Sequence, residues 1–243
     1  MQKLLKEIDK LQQEIKSLKP LSPNIIKQLR EYYKIGLTYS SNALEGNSLT
    51  ESETKVLIED GLTAGGKPLR DHFEAIGHAE AYDFMYTLIK STSLAETDIQ
   101  KLHNLFYYRI DTHQAGTYRA EKVIIIGSKY PCPEPSVLPS LMKELETKLL
   151  QLKNTHHPIE YAALVHKEFV FIHPFVDGNG RVARLLMNVA LLQCDYSLAI
   201  IPPILRAEYI QSLEKAHTND SDFKQFIALR VKETQKDYLR LIG

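Results

Sequence analysis

"FVFIHPFVDGNGRVARLLMNVALL", residues 169–192, joins two apolar stretches of helical character through a segment that carries His173, Asp177, Asn179, Arg181 and two glycines. Loops between buried helices are rarely so polar. Gly178 and Gly180 permit backbone conformations closed to other residues, so that successive N–H groups can converge on an anion. The helix that begins near Arg181 adds its N-terminal dipole and its unpaired donors at the same place, which together make a phosphate cradle. Arg181 and Arg184 lie on neighbouring positions of one helix face and can make forked, charged contacts to further phosphate oxygens. Asp177 beside such phosphates is an expected Mg²⁺ ligand, because Mg²⁺ takes one or two carboxylates plus phosphate oxygens and water. His173, with an unperturbed pKa of about 6.5, suits a general base near neutral pH. Singly, each has a structural reading: a helix cap, a turn, a solvated arginine face. Their concentration at one apolar helix junction points to chemistry.

Outward from this stretch, apolar periodicity dominates. Leu4, Ile8, Leu11, Ile15 and Leu18 share a helix face that "KPLSP" (19–23) stops. Ser22 as N-cap and Pro23 at the first helical position open a second helix, whose apolar side runs from Ile25 to Leu44 and whose last turn holds Glu45 before Gly46-Asn47. An acidic side chain there opposes the helix dipole. Thr50 and Glu53 form a capping box for a helix through Ile58, and "EDGLTAGGKPLRD" (59–71) reads as a polar loop. Further helices are expected over 73–89, 99–108, 137–152, 159–172, 181–193, 206–217 and 223–241. One stretch differs: "KVIIIGSKYPCPEP" (122–135) has a β-branched run, a Gly-Ser turn and a proline block, the pattern of a short hairpin. The expected fold is an all-α bundle with one β-hairpin.

The 243 residues suit one large domain, and 30 basic against 30 acidic residues leave no net field to attract nucleic acid or anionic lipid. Residues 1–19 are amphipathic and charged, unlike a signal peptide, and no segment reaches the length of a membrane span. Cys132 and Cys194 offer neither a zinc spacing nor a disulfide framework, so a reducing, cytoplasmic setting is expected. The apolar face of residues 4–18 is available for a homodimer.

The segment "HPFVDGNGR" (173–181) resembles the signature of Fic domains, His-Pro-Phe-x-Asp/Glu-Gly-Asn-Gly/Lys-Arg, at every defined position, and Arg184 matches the second arginine that commonly follows. "GTYRAEKVIIIGSKYPCP" (116–133) is similar to the segment with the family's flap hairpin, and "SNALEG" (41–46) resembles its regulatory motif, Ser/Thr-x-x-x-Glu-Gly/Asn. The resemblance implies a Fic fold, with N-terminal helices over 1–50 that include an inhibitory helix at about 22–46, and a Fic core over 51–243. It implies transfer of AMP from ATP onto a Ser, Thr or Tyr hydroxyl of a target protein. In that scheme His173 deprotonates the hydroxyl, Asp177 holds Mg²⁺, and Gly178, Asn179 and Gly180 cradle phosphate. Arg181 and Arg184 hold the distal phosphates, Arg184 the γ. The flap edge, Val123, Ile124, Ile125, Ile126 and Gly127, pairs with an extended target segment. Glu45 competes with ATP for Arg184, while Ser41 hydrogen-bonds the backbone or the motif helix. In some relatives the same glutamate positions a water that removes AMP, so a de-AMPylating or bifunctional enzyme is an alternative. A non-catalytic nucleotide-binding module is another, disfavoured by the intact base. A kinase branch carries Ala and Lys in place of the two glycines, which Gly178 and Gly180 argue against. "EYIQSLEKAHTND" (208–220) resembles the helix that borders the nucleoside, with His217 where some relatives have asparagine, and this leaves nucleotide preference open.

Overall fold

The computed structural model describes residues 1–91 and 93–242; Thr92 and Gly243, both inside the expected 51–243 core, lie outside the described residues. The periodic stretches form α1 (Gln2–Ser17), α2 (Pro23–Ala43), α3 (Glu51–Asp60), α4 (Leu69–Thr87), α5 (Glu96–Tyr107), α6 (Leu138–Thr155), α7 (Pro158–Ile172), α8 (Asn179–Gln193), α9 (Arg206–Lys215) and α10 (Ser221–Ile242). Short 3₁₀ turns at Pro135–Val137 and Pro203–Leu205 lead into α6 and α9. Local chemistry sets the boundaries. The Ser22 side chain accepts from the Ile25 N–H, and Thr50 and Glu53 make both bonds of the capping box. α4 starts earlier than its apolar period suggests, because Pro68 ends the glycine-containing loop and the helix begins at once behind it; Arg70 therefore sits in a first helical turn. α2 ends slightly earlier than expected. Leu44 is its C-cap, and Glu45 lies in the following turn, with its N–H bonded to the Asn42 carbonyl and Gly46 in a left-handed conformation.

α8 is the centre of the fold. Its residues from Arg181 to Leu191 are all buried, against α7 above all and also against α4, α5 and α2. A helix buried on every side is apolar all round, and here Val182, Leu185, Leu186, Met187 and Val189 supply that surface. Its polar residues carry specific partners. Asn188, for example, donates to the carbonyls of Arg184 and Ala199 and accepts from the Ala199 N–H.

Two expectations are corrected. The apolar face of α1 is not free for a second copy: Ile8 and Ile15 are buried, α1 packs on α10, and Gln235 donates to the Ile8 carbonyl and to Gln12 Oε1. Nor does 122–135 form a hairpin. Among the described residues there is no strand, and the segment is a single turn closed by the Ser128 N–H on the Ile125 carbonyl at 3.2 Å. The return arm contains Pro131 and Pro133, which have no N–H to donate, so no ladder can propagate. Side chains pin the turn instead. Glu214 accepts from Ser128 Oγ (2.9 Å) and from the Lys129 N–H (2.7 Å).

One close approach positions the site from a distance. A Cβ on Gly77 of α4 would lie 2.4 Å from the Phe106 carbonyl oxygen of α5, so the two helices meet backbone to backbone. Gly77→Ala is expected to force them apart and to destabilise the fold by ~1–3 kcal/mol, the usual range for overpacking, read as a lowered urea midpoint at unchanged slope.

Candidate active site

α7 ends on His173, which adopts a left-handed conformation (φ 52°, ψ 57°) rare for a residue with a side chain. The conformation is held from outside. The buried Arg119 donates from Nε to the His173 carbonyl (2.9 Å), from Nη1 to the Glu121 carbonyl (3.0 Å) and from Nη2 to the Pro133 carbonyl (2.6 Å), while its own N–H reaches the Pro174 carbonyl. One guanidinium thus ties both ends of the flap segment to the peptide of His173. His173 Nδ1 donates to the Val170 carbonyl at 3.3 Å, which leaves Nε2 as the acceptor of the neutral ring. Burial pushes this imidazole below its usual pKa, so it is a free base at neutral pH.

The loop that follows is braced on α5. Gly178 has φ 77°, and a Cβ there would lie 2.8 Å from the Phe106 ring, so both backbone conformation and space require glycine. His103 accepts the Gly116 N–H at Nδ1 (2.8 Å) and donates from Nε2 to the Asp177 carbonyl (3.1 Å), stacked on Phe175 with centroids 3.7 Å apart. The Asn179 side chain accepts the Phe175 N–H and donates to the Phe175 carbonyl. Its amide is therefore spent on the loop, and what Asn179 offers an anion is its backbone N–H. The N–H groups of Asn179, Gly180 and Arg181 open α8 and have no partner within the helix, whose first ladder bond is Val182 to Gly178.

Both arginines reach this end of α8. Arg181, buried over the Phe106 ring, places Nη2 3.1 Å from Asp177 Oδ1 and Nη1 3.1 Å from Glu74 Oε1; Nη1 and Nε make no aligned hydrogen bond. Arg184, 2% exposed, donates from Nε to Ser41 Oγ (2.9 Å), from Nη2 to the Ser41 carbonyl (2.8 Å) and to Glu45 Oε1 (2.7 Å), and from Nη1 to Tyr209 OH (3.4 Å). The hydroxyl of Tyr209 is in turn hydrogen-bonded to His166 Nε2 (2.8 Å). Burial opposes ionisation of Glu45, but the charges of Arg184 and Arg181 outweigh it and hold the carboxyl below the usual range. A Cβ on Gly180 would lie 2.5 Å from Glu45 Oε1. The carboxylate thus rests directly on the first turn of α8, where anions bind.

Glu45, His173 and Gly180 line a cavity of about 440 Å³ that also touches the flap turn (Ile125 to Gly127), Tyr209 and His217. His217 lies between Phe171 (centroids 3.6 Å) and Tyr130 (3.8 Å), both nearly parallel to it. Ile124 and Ile126 point outward, 88% and 99% exposed, and Val123 begins the same arm. The sequence reading missed Arg70, Glu74, His103, Arg119 and Tyr209. Arg70 in particular left no signal, because the sequence places it in a loop and only the structure sets it in the first turn of α4.

The sequence profile of the Fic/DOC family matches residues 93–191. A relative named protein adenylyltransferase Fic from Nematostella vectensis is 35% identical over 98% of this chain, which spans 56% of that relative; the chain thus covers about half the length of such curated relatives. Among solved structures, Fic-1 from C. elegans superposes with a TM-score of 0.88 at 29% identity, covering 98% of this chain and 72% of that one. A Fic-domain signalling protein from Bacteroides thetaiotaomicron gives 0.88 at 28% identity, covering 97% of each.

Burial holds three histidines of the bundle neutral: His103 pushed down to about 4, and His166 and His78, the latter hydrogen-bonded to Thr38 Oγ1 of α2, to about 3. Their folded pKa values lie below the unfolded 6.5, so the stability they contribute is present above about 6.5 and is lost as pH falls from there toward 4. Each takes up one proton on unfolding in that window, so urea midpoints measured from pH 8 to 4 should stay flat above about 7 and fall steeply below 6, with His103→Gln reducing the slope.

Proposed function

The chain belongs to the Fic/DOC family, and we propose that it transfers AMP from ATP to a hydroxyl of a protein side chain, with Glu45 holding the site in an inhibited state. The observation that carries this reading is a carboxylate seated on the anion-binding turn of α8, bonded to Arg184, in a cavity that also holds an imidazole with a free Nε2. In the transfer, His173 Nε2 accepts the proton of the target hydroxyl as its oxygen attacks the α-phosphorus, and pyrophosphate leaves. The N–H groups of Asn179, Gly180 and Arg181 receive phosphate oxygens, and the Arg181 guanidinium, held between Asp177 and Glu74, adds its positive charge beside them. Arg184 holds the distal phosphate once Glu45 withdraws. Positioning and charge stabilisation supply the rate.

The residues present fit Mg²⁺. Among the described residues no group of three or more His, Cys, Asp or Glu could form a cage, whereas Asp177 offers one partly exposed carboxylate beside the phosphate seat, which is how Mg²⁺ binds with nucleotides. Asp177 would hold the ion, and the ion would neutralise phosphate charge. The exposed arm 123–127, which has no strand partner, offers its edge to an extended segment of the target. In this reading ATP is the donor, and its adenine packs on the His217 side of the cavity, where the resemblance sets the nucleoside. Both cysteines are free, in keeping with a cytoplasmic setting. No helix among the described residues is long and apolar enough to cross a membrane.

Because Glu45 and His173 face one cavity, the same carboxylate also suits the orientation of a water for removal of AMP. Wild-type protein incubated with AMP-labelled Glu45→Gly protein tests this: loss of label marks hydrolysis, and full retention excludes it.

Glu45→Gly protein, incubated with each nucleoside triphosphate and Mg²⁺, is expected to gain one or more AMP units by intact mass with ATP, well above the wild type. Equal labelling of the two proteins would sink the lock, and no adduct with any nucleotide would sink transfer. His173→Ala in that background should lose labelling by about a hundredfold or more while retaining nucleotide binding. Because His173 titrates below its usual value, the acid limb of kcat/KM should inflect below pH ~6.5.

A further inference from the structure

Arg70 stands in the first turn of α4, where the helix dipole disfavours a cation, and its side chain is 54% exposed. It is nevertheless held at both ends of its fork. Nε lies 3.1 Å from Glu74 Oε1 on the next turn, and Nη2 lies 2.7 Å from Asp177 Oδ2, across the entrance to the phosphate seat. Glu74 is buried and fixed by Asn47 Nδ2 at 3.0 Å. The two oxygens of Asp177 are not equivalent. Oδ1 accepts the Gly178 N–H (2.6 Å) and faces Arg181 Nη2 (3.1 Å), so the loop and α8 use it; Oδ2 is engaged by Arg70.

We propose that Arg70 is the resident counter-cation of Asp177, which a divalent ion must displace before the site is loaded; this rests on the reading of Asp177 as the Mg²⁺ carboxylate. Geometry makes the two cations competitors. Mg²⁺ coordinates oxygen at about 2.1 Å, so an ion on Oδ2 would lie within about 5 Å of Nη2 at its observed 2.7 Å from the same atom. Two positive charges on one carboxylate oxygen repel, and the guanidinium is the one with somewhere to go. Being half-exposed on a flexible stem, Arg70 can turn to solvent without leaving a buried charge unmatched, since Glu74 keeps Asn47 and Arg181. Without metal, the same arginine shares with Arg181 the neutralisation of Asp177, so that Oδ2 does not present an unpaired negative charge that would repel phosphate. Arg70 thus sets the metal concentration at which the seat becomes ready for a triphosphate, through charge rather than through contact with the reacting atoms.

The test is direct binding of Mn²⁺ alone, followed by water-proton relaxation, to the wild-type chain and to Arg70→Gln, Arg70→Lys and Asp177→Asn variants, with thermal melts to establish folding. Removal of the competing charge in Arg70→Gln should tighten Mn²⁺ binding about two- to fivefold, the size of a half-exposed ion pair. Arg70→Lys, which keeps the charge, should stay near wild type, and the gap between wild type and Arg70→Gln should close as monovalent salt is raised. Asp177→Asn should abolish the binding. If Asp177→Asn abolishes it but Arg70→Gln leaves it unchanged or weakens it, the Arg70 proposal is overturned while the metal reading stands. If Asp177→Asn binds Mn²⁺ as the wild type does, the metal reading falls and the Arg70 proposal with it.

Discussion

The Arg184 guanidinium, enclosed in the middle of a helical bundle, is the constraint to which the surrounding structure answers. A charged group taken out of water costs several kcal/mol unless its donors are matched and its charge is compensated. Here the matching comes from three elements at once: Ser41 and Glu45 at the end of α2, and Tyr209 on α9, with His166 of α7 behind the Tyr209 hydroxyl. One side chain of α8 therefore sets where the end of α2 lies relative to α7 and α9. Arg206 adds a second tie, from Nε to the Leu44 carbonyl at 2.7 Å. The turn carrying Glu45 is held by the backbone that leads into it, at the Ser41 and Leu44 carbonyls, which explains how an acidic residue persists at a helix end whose dipole opposes it.

What could be read in advance was local. Caps, prolines and apolar periodicity announce a helix by themselves, and the glycines of 173–181 announce a backbone that a side chain would obstruct; Gly178 against Phe106 and Gly180 against Glu45 show both obstructions in space. The flap misled for the same reason. A β-branched run is a local signal, but a strand needs a partner with donors, and the arm with Pro131 and Pro133 has too few. Arg119, His103 and Arg70 were illegible because their meaning lies in their partners. Arg119 acts on the carbonyl of a residue 54 positions away and Arg70 on a carboxylate 107 positions away. Nothing in the residues flanking them distinguishes an arginine that ties two segments together from one that faces water.

The charges at the mouth of α8 alternate. Glu45 meets Arg184, Asp177 meets Arg181 and Arg70, and Glu74 meets Arg70 and Arg181, so three carboxylates balance three guanidinium groups. A seat balanced in this way has no net charge with which to draw in a polyphosphate, although its backbone donors are aimed at one. Phosphate can enter only by exchange: its negative charge must replace that of a carboxylate, and its volume must replace the Glu45 oxygen that already rests against Gly180. Space and charge make the same demand at the same atom. For that reason the lock proposed for Glu45 needs no separate domain and no large motion. It is a property of where one turn ends, and anything that moves the Leu44–Gly46 turn by the width of a carboxylate changes the balance of the whole site.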